Sequence, residues 1–272
     1  MANTLTGLIP TLYESLDVVS RELVGFIPAV NTDHQAGRAA VGQTVLSFVT
    51  PAVTASDVVP GVTAPNDGDQ VIGNVPITIS KSRYVPIRWN GEETRGVNTG
   101  PGTTSIIGQQ FQQAFRTLSN EIEADLALAA RQGASRAIGT AGTTPFGTAG
   151  DLSDFAALRT VLEDNGAPVN ALQLVGGSAA LGSLRGKQSV LFKASEAGSD
   201  GLLRTGDVGV VEGFAVRNSN SVRAAIAKGT GAAYTTTAAG FAVGTTSIPI
   251  VTGTGTVLAG DVVTFAGDAN KY

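Results

Sequence analysis

One long amphipathic pattern, over residues 105–134, constrains the fold of this chain more than any other feature. Its apolar side chains recur at spacings of three and four, as on one face of an α-helix. They are Phe111, Phe115, Leu118, Ile122, Leu126 and Ala129. Ser105 can cap the start of this helix and Gly133 can end it. At 1.5 Å per residue the helix would run about 40 Å, a length suited to a structural spine.

Extended structure is predicted ahead of this helix. Residues 43–50 are predicted as a strand, and from residue 75 to residue 89 apolar side chains share one parity, as on one face of a β-ribbon. They are Val75, Ile77, Ile79, Val85, Ile87 and Trp89. Lys81 and Arg83 interrupt that face, so we expect the ribbon to bend near Lys81-Ser82 and to carry both charges at its tip or outer edge.

A mixed α/β pattern follows the long helix, over residues 151–228. Its first helix is closed by Gly166, a residue suited to a helix C-terminus. A buried strand over residues 171–175 precedes a small helix that starts after Ser178, and a second strand is predicted over residues 208–216.

The two ends of the chain are predicted to differ in secondary structure. Residues 9–26 have the period of an amphipathic helix, which packs on its own domain or contacts a neighbouring molecule. From residue 229 onward Thr, Ala, Gly and Val dominate, and short strands are predicted at 240–243, 248–251 and 261–265. This pattern indicates the start of a small all-β unit, and we expect the sequence to stop within it.

Composition argues against catalysis. Charged residues make up only 15% of the chain, the net charge is −4, and there is no cysteine. A basic surface for nucleic acid is therefore not expected. The only histidine, His34, cannot build a metal site by itself. Ser178 follows Gly176-Gly177 as in a nucleophile elbow, but no histidine follows it in the chain, so we interpret it as a turn residue. No enzyme, cofactor or metal site is predicted.

Charged residues near the ribbon and on the long helix are the candidate functional residues. The acidic ones are either solvated or paired with basic residues of a neighbouring subunit. The helix carries Glu121 and Asp125 four residues apart, a repulsive spacing on an isolated helix. The full set of candidate intersubunit contacts is Lys81, Arg83, Arg88, Trp89, Glu92, Glu93, Arg95, Glu121, Glu123 and Asp125.

The order of these elements resembles the major capsid (coat) proteins of tailed bacteriophages, most of all the podovirus coat proteins with an inserted β-domain. The similarity lies in MANTLTGLIPTLYESLDVVSREL at the N-terminus, in GNVPITISKSRYVPIRWNGEE and in IIGQQFQQAFRTLSNEIEADLALAA. It continues in ALQLVGGSAALGSLRG, LLRTGDVGVVEGFAVRNSNSV and SIPIVTGTGTVLAGDVVTFAG. The resemblance covers nearly the whole chain and rests on layout more than on fixed residues.

The resemblance implies an α+β fold with the layout of that family. It consists of an N-terminal arm and first peripheral strand (1–50), an extended ribbon (51–100), a peripheral domain with the spine helix (101–150), an axial domain (151–228) and the start of an inserted β-domain (229–272). The family's return of the chain to the axial and peripheral domains is missing from the sequence, which predicts that the last of these parts is truncated.

The resemblance also implies a structural function. Such proteins assemble as hexamers and pentamers into an icosahedral head that encloses double-stranded DNA without reading its sequence. Implied partners are other copies of the chain, a scaffolding protein, a portal protein at one vertex and a decoration protein. No membrane is involved, and the expected location is the virion, assembled in the host bacterial cytoplasm.

Two other functions stay open at this point. A bacterial nanocompartment shell protein of the same fold would enclose cargo enzymes, although such shells usually lack an inserted β-domain. A secreted β-rich adhesin is suggested by the Thr/Gly-rich end, but the long helix and the missing signal peptide disfavour it.

Overall fold

The computed structural model describes residues 24–32, 40–55, 57–58, 60–61, 68–92, 103–187, 205–223, 227–237, 240–242 and 245–272. The chain divides into two compact units. One contains Asn31–Pro86, and the other contains Met1–Val30 together with Ile87–Tyr272. Most of the helix predicted over residues 9–26 lies outside the described residues. The five-part domain division stays a prediction.

The unit Asn31–Pro86 is built on a two-stranded antiparallel ribbon. Strand β1 (Thr44–Val49) pairs with β2 (Gly73–Thr78), with Val45 opposite Ile77 and Phe48 opposite Asn74. The strand predicted over residues 43–50 is therefore present. The predicted bend at Lys81-Ser82 is wrong, because residues 79–90 form no strand and the partner of β2 comes from earlier in the chain. The connection between the two strands spans residues 50–72.

The predicted long helix is confirmed as α1 (Thr103–Gly133), which has 31 residues and is about 46 Å long. Its predicted apolar stripe is only partly covered: four of its members are half-buried, and Ile122 is 51% exposed. Among the described side chains of α1, the one that is fully buried is a carboxylate, that of Glu123. This helix is therefore held in place by polar contacts as well as by apolar packing.

The α/β part contains the apolar core. Helix α2 (Ser153–Asp164) and helix α3 (Ser178–Lys187) belong to it, together with a three-stranded sheet. The sheet has the order β3-β5-β4, with β3 (Gln173–Gly176) parallel to β5 (Phe214–Asn218) and β4 (Val210–Val211) antiparallel to β5. The buried side chains are those of Phe146, Phe155, Leu181, Leu184, Val211 and Phe214.

Two chain reversals in this part follow from backbone geometry. Gly166 has φ +70°, and Ala167 N–H donates to Leu162 O at 2.9 Å, so α2 ends as its Asn-Gly sequence predicts. The single strand predicted over residues 208–216 is wrong, because Glu212 (φ +52°) and Gly213 (φ +85°) form a two-residue turn there. Two successive positive φ angles give the tight reversal that matches strand twist, so the segment becomes a hairpin of β4 and β5.

The C-terminal part is glycine-rich, and its segments meet through backbone contacts. Strands β6 (Thr235–Thr236) and β7 (Ile250–Val251) pair antiparallel, which confirms only the second of the three predicted short strands. A Cβ atom at Gly255 would lie 2.2 Å from Thr230 O, so these two segments meet without side chains between them. The last residues pack beside the end of α1, where the Arg136 guanidinium lies 4.5 Å from the centre of the Tyr272 ring.

We expect Phe155→Ala to lower the free energy of unfolding by about 3–5 kcal/mol, the range for an aromatic side chain removed from a packed core. The Phe155 side chain is fully buried, and its ring centre lies 4.6 Å from that of Phe146. Denaturant titration gives the measurement. Val169→Ala, at a position 51% exposed, is the control and should change stability by less than about 0.5 kcal/mol. Equal losses in both variants would contradict this assignment of the core.

Candidate functional site

The ribbon exposes apolar side chains on both of its faces. Leu46 and Phe48 lie on one face, and Phe48 is 78% exposed. Val49, Val75 and Ile77 lie on the other face, and each is close to half exposed. In the described part of Asn31–Pro86, eleven large hydrophobic side chains are exposed and none belongs to the buried core. An isolated two-stranded ribbon is marginally stable, and exposed apolar patches mark interaction sites.

A second site lies inside the other unit, where the Glu123 carboxylate accepts three successive backbone N–H groups. Gly25 N and Phe26 N each donate to Oε1 at 2.7 Å, and Ile27 N donates to Oε2 at 3.1 Å. Consecutive N–H groups at the start of a turn form a concave anion site. We call Val24–Val30 the docking turn and the group of contacts around Glu123 the carboxylate clamp.

The docking turn is a single helical turn placed against two other elements. Val30 N donates to Phe26 O at 3.1 Å, which leaves the first N–H groups of the turn without internal acceptors. A Cβ atom added at Gly25 would lie 2.8 Å from Val175 Cγ1 and 2.9 Å from Asn218 O. Only glycine therefore allows the turn to approach the carboxyl ends of β3 and β5 this closely.

Ser219 connects the carboxylate clamp to the sheet. It is fully buried, and its hydroxyl hydrogen bonds to the Glu123 carboxylate. The same hydroxyl accepts the N–H of Ser221 at 3.2 Å, at the start of the 3-10 turn Asn220–Arg223. Helix α1, the docking turn and the end of β5 thus meet at one carboxylate.

Two opposing effects set the pKa of Glu123. Burial acts to raise it, but the hydrogen bonds from Phe26, Ser219, Gly25 and Ile27 together outweigh burial and hold the pKa below its ordinary value of 4.5. The carboxylate is therefore ionised at neutral pH, which is the form that accepts these hydrogen bonds. This position corrects one prediction: Glu123 is enclosed by its own chain and cannot be an exposed partner for a neighbouring subunit.

The other candidate contacts are distributed over both units. Lys81 and Arg83 are exposed after the ribbon, and Arg88 and Glu92 are exposed ahead of α1. The Trp89 Nε1–H donates to Gln110 Oε1 at 2.8 Å, so this ring is placed against α1. Glu121 is half-buried and Asp125 is exposed on α1. Glu93 and Arg95 lie outside the described residues. Whether any of these residues pairs across subunits stays a prediction.

Sequence reasoning missed Gly25 and Ser219 as parts of a site. The available signal was weak, because Glu123 is one of several charged residues on α1 and its local spacing does not distinguish it from Glu121 or Asp125. The partners of Glu123 lie 96 to 98 residues away along the chain, beyond the reach of any local pattern.

Within the residues that the structure describes, no group of three or more His, Asp or Glu side chains could hold a metal ion. His34 lies outside the described residues, and Ser178 is the first residue of α3. None of the described helices is both long enough and apolar enough to cross a membrane.

Comparisons with known proteins bear on the fold. No protein-family model matches the chain, and no curated protein matches it. A solved structure described as Mycobacterium phage Che8 is similar, with a TM-score of 0.53 and 17% sequence identity over 74% of this chain and 70% of that chain. At this identity the likeness is one of fold. The chain therefore has a mixed α+β fold that is also found in a phage protein.

We expect the clamp's contribution to stability to depend on pH. The folded-state pKa of Glu123 is lowered, so this contribution is fully present above the unfolded value and is lost as pH falls through the folded pKa. Glu123→Gln should therefore be less stable than the parent chain by about 2 kcal/mol at pH 6, and the difference should shrink as pH is lowered below the ordinary pKa of 4.5. Denaturant titrations over a series of pH values measure it. A difference that stays constant as pH falls would contradict the assignment.

Proposed function

We propose that this chain is a major capsid protein of a tailed phage, which assembles as hexamers and pentamers into an icosahedral head around double-stranded DNA. The observation that carries the proposal is the ribbon of β1 and β2, with its apolar side chains exposed on both faces. A neighbouring copy of the chain is the occupant that we infer for this surface. The role is structural, and no enzymatic activity is proposed.

Three features support a second copy as the partner. The described part of the ribbon unit contains no buried core of its own, so its apolar side chains need cover from outside. Among the described residues each strand has one strand partner, which leaves its second edge available for main-chain pairing in the proposed contact. The similar fold occurs in a phage protein. A protein needed in many identical copies must supply both halves of such a contact itself.

The low charge of the chain agrees with this function. Only 15% of residues are charged and the net charge is −4, so the protein has no strong attraction for DNA phosphates. A shell that encloses DNA without binding it tightly needs no basic residues on its inner surface. We propose a scaffolding protein during assembly, a portal protein at one vertex and a decoration protein as further partners, with assembly in the host bacterial cytoplasm.

Expression of the chain with and without a scaffolding protein, followed by electron microscopy, tests the function. Closed particles under either condition would agree with the proposal. Small monomers under every condition would contradict it. Particles that contain an enzyme instead of DNA would favour a nanocompartment shell of the same fold.

Phe48→Asp tests the ribbon directly. Phe48 is 78% exposed in the isolated chain, so we expect the circular dichroism spectrum to stay unchanged. Particle yield should fall about tenfold or more, because an unpaired carboxylate buried at each contact costs at least about 1–2 kcal/mol. Phe48→Leu retains an apolar side chain and should assemble normally. Normal assembly of Phe48→Asp would contradict an interface on this face.

Glu121→Lys tests the proposed charge pairing across subunits. Charge pairs near a surface contribute up to about 1 kcal/mol and are screened by salt, so the variant should assemble less well at low salt, and the deficit should narrow at high salt. Asn120→Lys, at the adjacent exposed position, adds a positive charge without removing the carboxylate and is the control. Particle yield equal to that of the parent at every salt concentration would count against the pairing.

A further inference from the structure

In the ranges that the structure describes, the docking turn has one polar attachment to the rest of its unit. Among the described residues, every hydrogen bond that leaves the turn ends on Glu123, through Gly25, Phe26 and Ile27. The other backbone hydrogen bonds of the turn are internal, from Ala29 N and Val30 N to Phe26 O. Within the described part of the chain, one side chain therefore supplies the polar attachment of this segment.

The apolar core does not include this segment. Its six buried side chains lie between Phe146 and Phe214, and the half-buried side chains packed against them come from residues 152–216. Helix α1 and the docking turn contribute none of them. Removal of the turn would consequently leave the core packing unchanged, and the free energy for opening the turn can be far below that of global unfolding.

The contact at Gly25 is close but does not interlock. Its fit depends on the missing Cβ atom, since an alanine there would meet Val175 Cγ1 and Asn218 O within 3 Å. A glycine that lies against a strand end has no side chain of its own to withdraw. The side chains of Val24, Phe26, Ile27 and Ala29 are half-buried, so the turn combines one charged attachment with apolar contacts that are incomplete.

We propose that the docking turn is a releasable anchor, which detaches as a unit while the sheet and core stay folded, and that the Glu123 carboxylate sets how often it opens. This conformational device does not depend on the proposed shell function.

Hydrogen exchange on the unassembled 272-residue chain tests the proposal. In Glu123→Gln, the amides of Gly25, Phe26 and Ile27 should exchange roughly 30-fold faster, because the amide side chain cannot accept all three N–H groups. The amides of β3, β5 and α2 should remain much more protected than those of the turn in both proteins, because the core amides exchange only on global unfolding. Asp125→Asn removes an exposed carboxylate from the same helix and should change neither set.

Gly25→Ala opens the same anchor by disturbing the contact of Gly25 with Val175 and Asn218 instead of the carboxylate. Its Cβ atom would prevent the turn from seating while Glu123 remains intact, so the same three amides should again exchange faster while the core amides remain much more protected. Unchanged exchange in the turn of either variant would overturn the proposal. Amides of the turn that are as protected as those of the core in the parent chain would overturn it as well, and so would failure of Glu123→Gln to fold, since release requires a body that folds without the clamp.

Discussion

The placement of α1 and the docking turn against the end of β5 depends on one buried carboxylate. The N–H groups of Gly25, Phe26 and Ile27 have no acceptors within their own turn, and each would be costly to bury unpaired. A glutamate buried without donors would be equally unfavourable. The carboxylate and the three N–H groups each remove the cost of burying the other without a hydrogen-bond partner. Neither side therefore tolerates replacement of the other by an apolar group. The clamp is thus more important for selecting one arrangement of α1, the docking turn and β5 than for its net contribution to stability.

This selection matters because apolar packing does little to place α1. The helix is about 46 Å long, yet none of its described apolar side chains is fully buried. A partly covered stripe can slide along its neighbours at small cost, since hydrophobic burial has little directionality. A carboxylate that accepts three N–H groups is directional, and it fixes both the rotation and the register of the helix. Ser219 extends this constraint to the end of β5.

Elements with a strong local period could be predicted from the sequence. Helix α1 agrees with its prediction within two residues at each end, and the Asn165-Gly166 end of α2 follows from the φ freedom of glycine. Strand pairing was harder to predict, because apolar side chains at every second position show that a strand exists but do not show which strand it pairs with. β2 was therefore expected to fold back on its own continuation, whereas it pairs with β1. The turn at Glu212-Gly213 was missed because a glutamate at positive φ gives no clear sequence signal.

The candidate site also has one part that follows from the local residue pattern and one part that depends on tertiary contacts. An exposed apolar ribbon is a property of residue pattern, so its surface could be predicted even though its partner strand could not. The clamp is a property of tertiary structure: Glu123 appeared as one of three acids on a helix, and only the distant backbone of Gly25–Ile27 distinguishes it from Glu121 and Asp125. Charge on a helix therefore indicates a solvated face, an intersubunit contact or an internal anchor equally well, until the backbone it meets is known.

The two units also differ in how far each can be stable by itself. The α/β part buries six large side chains together and has what a folded body requires. In its described residues the ribbon unit has two strands and exposes its apolar side chains, so any partner that covers them adds the free energy of that burial to the stability of the ribbon. In the shell that we propose, folding of the core would precede contact between chains, whereas full ordering of the ribbon would accompany it. The chain would then be a folded subunit whose neighbours cover the apolar side chains that the described ribbon exposes.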